Sequence, residues 1–248
     1  MSRRRSFFDS SNPVMTEKAF QKSAGTLVQG GETMTVSGAV NKTLILTGIL
    51  LLTTVFSYAN PNPILMWGGA IGGFIVVIFS VFKPQYSNIT APVYAALEGL
   101  FVGGISAIYA SLFNGIIFQA VTITMAILFT MLFLYKSGII KVTKSFRTGV
   151  IMATGAVALV YVVSIVLGMF GIQIPYLHQG GMIGIGISLV IIGIASLNLL
   201  LDFDNFEKGE QYGAPAYMEW FSAMGLLITL IWLYLEVLRL VSMLSGRD

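Results

Sequence analysis

The chain has 248 residues, of which 56% are hydrophobic and only 10% charged, with a formal charge of +3 and no cysteine. Soluble domains are about 25% charged, so this composition excludes an ordinary globular protein and points to one that crosses a membrane several times. Without cysteine there is no disulfide, thiolate metal site or cysteine nucleophile.

Residues 1–42 are polar and open with MSRRRSFFDSSNPVM. No apolar stretch follows the three arginines directly, so the segment does not read as a secretory signal. It reads as a flexible polar tail with a short amphipathic piece around residues 15–23, followed by one membrane domain over 43–248. Seven apolar runs follow, at about 43–58, 64–82, 91–113, 115–135, 149–170, 181–201 and 220–244. A helix needs about 20 apolar residues to cross a bilayer, so the short first run is expected to start earlier. Turn signals separate the runs: Asn60-Pro61-Asn62-Pro63, Lys83-Pro84, Asn114-Gly115, residues 173–181 and Gly213-Ala214-Pro215. The bilayer core requires each backbone polar group to be satisfied within its own segment or a closed barrel. The runs lack the short alternating pattern of a membrane barrel. The expectation is an all-α membrane protein with seven transmembrane helices.

Lysine and arginine set the expected orientation. Twelve of the fourteen fall in the tail and in the second, fourth and sixth loops, and none in the first, third or fifth. The N-terminus is therefore expected in the cytoplasm and the C-terminus on the opposite side. The sixth run, GMIGIGISLVIIGIASLNLLL, carries small residues, among them Gly184 and Gly193, that would let a neighbouring helix approach closely.

Ionisable groups at membrane depth are costly and therefore informative. Glu98 lies in the third run, which has no lysine or arginine. Asp202 and Asp204 close the sixth run. Glu219 opens the seventh beside Trp220, where it reads as an interfacial anchor. Glu236 sits well inside the seventh run, with Arg239 three residues on, so the two share a helix face and are placed to form an ion pair. Other chemistries find no support. The single histidine, His178, falls in a predicted outer loop. There is no HExxH, no phosphate-binding glycine loop, and no membrane lysine for a retinal. No enzyme constellation, resident cofactor or nucleic-acid partner is expected. Acidic groups within a membrane suit cations or protons.

The segments SSNPVM, MTVSGAVNKT, APVYAALEGLFVG, SLNLLLDFDNFEKG and GAPAYMEWFSAMGLLITLIWLYLEVLRL resemble the bacterial Bax inhibitor-like family, part of the transmembrane Bax inhibitor motif group. The resemblance covers nearly the whole chain. It implies a seven-helix fold with the last helix near the centre, a bacterial cytoplasmic membrane, and a pH-sensitive calcium leak. It also implies an acidic pair between the sixth and seventh helices: Glu236 with Asp202, the register also admitting Asp204. Two adjacent carboxyls cannot both ionise cheaply. A shared proton would close such a latch, and its loss would open it or admit a transient calcium ion at Asp202 and Glu236. Glu98 matches an acidic residue that works with a basic one in that family, but SAIYASLFNG, the corresponding stretch here, has no basic residue. The partners so implied are lipid, calcium ions and protons. Two other readings stay open: a regulatory scaffold for other membrane proteins, and a proton-coupled transporter. Pairing Asp202 with Glu236 also requires part of residues 210–223 to leave the spanning helix. If the last helix spans throughout, Glu236 is expected to meet Arg239 or Glu98 instead.

Overall fold

The computed structural model describes residues 32–171 and 181–246. Among the described residues are seven helices long and apolar enough to cross a membrane: α1 (Val36–Ala59), α2 (Pro63–Phe82), α3 (Ser87–Leu112), α4 (Ile116–Lys136), α5 (Lys144–Met169), α6 (Met182–Gln211) and α7 (Tyr217–Ser245). A short 3-10 turn, Pro84–Tyr86, leads into α3. The amphipathic piece expected around residues 15–23 and His178 lie outside the described residues.

Local chemistry explains the helix starts. Thr35 caps α1, its hydroxyl accepting the Gly38 amide at 2.9 Å. Asn62 caps α2 at 2.8 Å from the Ile64 amide, with Pro63 in the first turn, where its missing N–H costs nothing. Thr143 caps α5 through the Phe146 amide at 3.2 Å. The tight corner between α6 and α7 turns on Gly213, whose φ of +61° suits glycine.

Two boundaries bear on the site. Helix α1 begins at Val36, earlier than the first apolar run as expected and so within the segment assigned to the polar tail, because Thr35 supplies a cap there and the residues before it are fastened to the α6–α7 corner. Helix α6 runs on to Gln211, so Asp202 and Asp204 are interior helical residues and not its end. Their side chains find partners or burial within the bundle, which removes the reason for the helix to stop.

The centre is α7, with sixteen of its 29 residues buried. Helix α6 lies along it with fifteen of 30 buried, whereas α5 buries only Arg147 and Val150. The apolar core is correspondingly built around Phe221, Met224, Leu227, Leu233 and Val237 of α7, with Leu199 and Phe203 of α6 and Leu46 of α1. Close helix approaches lie on α3. A methyl at Gly103 would come within 2.8 Å of Ser57 Cβ on α1, and one at Gly104 within 2.8 Å of Met66 Cβ on α2. Gly193, expected to serve such packing, is exposed and has open space where a Cβ would stand; Gly184 is buried. The small residues of α6 wrap around the helix, and only some face a neighbour.

Candidate functional site

Glu236 stands about two-thirds of the way along α7, the most buried helix, and is itself 5% exposed. Its Oε1 accepts a hydrogen bond from the Tyr161 hydroxyl of α5. Its Oε2 is 3.0 Å from Arg239 Nη2, one turn further along α7. Arg239 Nη1 in turn donates to the Tyr161 hydroxyl oxygen at 2.8 Å. The three groups form a closed triangle, with the guanidinium also 5.8 Å from the Tyr161 ring centre. The i,i+3 ion pair read from the sequence is therefore present, and α7 is helical from Tyr217 onward. A carboxylate in an apolar setting needs this much compensation, since each bare charge there costs several kcal/mol.

Tyr161 is the last of three polar rungs that fasten α5. Arg147 Nη1 donates to Asn205 Oδ1 at 3.0 Å, and Arg147 Nη2 pairs with Asp204. Thr154 Oγ1 accepts from Asn198 Nδ2 at 2.7 Å. Residues 147, 154 and 161 are seven apart and share one face of the helix, as do Asn198 and Asn205 on α6. Asp204 is held from a second side by Lys208 at 2.9 Å. Next to it, Glu207 accepts the Tyr135 hydroxyl of α4 at 2.7 Å. Sequence reasoning missed Tyr161 and the role of Arg147; the seven-residue spacing of polar groups on an otherwise apolar helix was the available signal.

The rungs also fix relative depth. They pair residue 147 with 205 and 154 with 198, which brings Tyr161 level with Ile191, and those two line one wall together. Counting through the short corner after Gln211 puts Glu236 at that same level. Asp202 is eleven residues from Ile191 along α6, about 16 Å at 1.5 Å per residue. The structure therefore places Asp202, 1% exposed, and Glu236 on adjoining helices at different depths. Glu98 stands on α3, interacts with Tyr94 one turn earlier, and rests its carboxylate on Gly73 of α2. Ser106 of α3 bonds Tyr234 of α7 at 2.7 Å, and counting back eight residues on each helix gives Glu98 a depth close to that of Asp202.

Glu219 does not act as an interfacial anchor alone. Its Oε1 accepts from both the amide (2.9 Å) and the hydroxyl (3.0 Å) of Thr35, at the N-terminus of α1 where the helix dipole favours an anion. Backbone bonds Met34 N to Ala214 O (2.6 Å) and Ala216 N to Glu32 O (3.0 Å) complete this clasp. Lys42 covers the neighbouring Trp220 at 5.1 Å from the ring centre.

Six spanning helices packed around a seventh that carries a buried carboxylate, held by one hydrogen bond and one ion pair, define a polytopic membrane protein. The chain belongs to the Bax inhibitor 1 like family, whose model matches residues 12–246. No curated protein and no solved structure matches it.

Proposed function

We propose that this protein is a cation leak of the bacterial cytoplasmic membrane, passing calcium, with its N-terminus in the cytoplasm and with Glu236 as the proton-sensitive element of its gate. The supporting observation is the position of Glu236: a buried carboxylate on the central helix that joins α7 to the weakly buried α5 through Tyr161. Asp202, about 16 Å away in depth, is a second acidic station in series with it and not its hydrogen-bonded partner. Several carboxyls spaced along a path suit cation transit, because binding at each must be weak enough for release. No resident cofactor and no catalytic step belong to this reading.

The sign of the pH response follows from the partners. Ionised Glu236 accepts from Tyr161 and neutralises Arg239, so the ionised state is the latched state. Protonation removes the ion pair and leaves Arg239 uncompensated in an apolar setting, which favours rearrangement toward water. Flux should therefore rise as pH falls. This is opposite to the sign expected for two carboxyls sharing one proton. The test is calcium flux into proteoliposomes at pH 6, 7 and 8. Wild type should leak more at pH 6, and Glu236→Gln should leak at all three with no pH dependence. A wild-type protein that passes no calcium would remove the leak reading. The scaffold reading would then stand, supported by the broad outward face of α5 with its exposed Leu159, Val162 and Ile165.

A further inference from the structure

A cleft of about 330 Å³ opens between α1 and α4, floored by α3, α7 and the inner face of α4. Its floor includes Val102, Thr124, Leu227 and Ile231, all buried against the rest of the protein. Leu51 and Val55 of α1 and Val121 of α4 stand at its mouth and are 55%, 66% and 42% exposed. These mouth residues belong to helices of membrane-spanning length and hydropathy, so the cleft opens sideways into the hydrocarbon of the bilayer and not into water.

The wall chemistry excludes a polar guest. The Thr47 hydroxyl donates back to Thr43 O at 2.8 Å, and the Thr124 hydroxyl to Ala120 O at 2.7 Å. Ser106 and Tyr234 satisfy each other. Each of these groups turns its polar atom into the protein and leaves carbon toward the cleft; Thr54 is the exception, its hydroxyl buried with no hydrogen-bond partner. The length is equally specific. The α1 wall runs from Thr47 to Tyr58, a rise of about 16 Å at 1.5 Å per residue, and ends one residue short of the helix terminus. One leaflet of a typical hydrocarbon core is about 15 Å deep. The connections at that end, around Asn60–Asn62 and Asn114–Gly115, contain no lysine or arginine to select an anionic headgroup.

We propose that this cleft is a binding site for one acyl chain of a surrounding phospholipid, recognised by its hydrocarbon and not by its headgroup. A chain seated there packs directly on Leu227 and Ile231 of the central helix, beside the Ser106–Tyr234 bond. This inference is independent of the leak and of Glu236.

The full chain would be reconstituted in phosphatidylcholine vesicles containing a phosphatidylcholine with a diazirine in its acyl chain. After photolysis, labelled residues would be located by peptide mass spectrometry. Adducts are expected on floor residues Val102, Thr124 or Ile231, as well as on the outward Leu51 and Val121. They should be equally abundant when a phosphatidylglycerol probe is used. Thr124→Phe should remove the floor adducts and keep those on the outward face of α5, such as Leu159, which also reports that the variant is folded. The milder Thr124→Leu should reduce them. Adducts confined to outward residues would overturn the proposal, whether the cleft is empty or closed by a second copy. So would floor labelling seen with the anionic probe only.

Discussion

Replacing Tyr161 with phenylalanine removes one hydroxyl and almost no volume. It deletes the hydrogen bond to Glu236 and the acceptor for Arg239 Nη1, and leaves the Glu236–Arg239 ion pair in place. Interhelical hydrogen bonds within membranes contribute about 0.6 kcal/mol on average and up to about 1.7. A bond to a charged acceptor belongs at the upper end. A loss of about 1–2 kcal/mol from the latched state corresponds to a roughly 5–30-fold rise in the unlatched fraction, at 1.36 kcal/mol per decade. Calcium flux into proteoliposomes at pH 8, where the latch is expected to be closed, should rise by that factor. Wild-type flux from Tyr161→Phe at pH 8, in protein with an unchanged melting temperature, would refute the assignment of Tyr161 and Glu236 as a gate.

Arg147→Met should lower the stability of the purified protein by about 3 kcal/mol, because removing one member of a buried pair leaves the other partly uncompensated; thermal melting in detergent reads this, and Asp204→Asn in the same background should recover part of the loss. Gly103→Ala should destabilise by about 1–3 kcal/mol through overpacking against Ser57. Gly193→Ala should be silent in the same melt, because nothing stands within reach of the added methyl. Thr35→Val deletes both the cap of α1 and a bond to Glu219, at a cost of about 1–2 kcal/mol. Hydrogen exchange at the first amides of α1 should accelerate selectively.

The spans were readable because a bilayer imposes length and apolarity on every crossing, so that composition alone separates 43–58 from 64–82 or 149–170. The Glu236–Arg239 pair was readable because three residues along a helix is a local distance. What could not be read depends on which helix faces which. Tyr161 belongs to Glu236 only because α5 lies beside α6 at the register set by Arg147 and Thr154. The resemblance paired Asp202 with Glu236 on the condition that part of residues 210–223 leave the spanning helix; α7 is helical from Tyr217 onward, and the two carboxyls stand at different depths. Gly193 and Gly103 are alike as letters, and only the packing separates a glycine facing outward from one under another helix. Glu219 resembled an interfacial anchor because its partner, Thr35, is near the other end of the chain.

That separation of 184 residues between Thr35 and Glu219 constrains how the protein is made. At about 5–20 residues per second of synthesis, the start of α1 waits roughly 10–40 s for the carboxylate that fastens it. Through that interval α1 to α6 occupy the membrane without the helix that supplies much of the shared core. The nascent protein is then a shell lacking its axle, with Leu46, Leu199 and Phe203 facing a space that only the last 29-residue helix can fill. The bundle can close only once α7 has been made. A chain cut short anywhere before α7 would therefore lose not one helix in seven but the element on which the other six are packed.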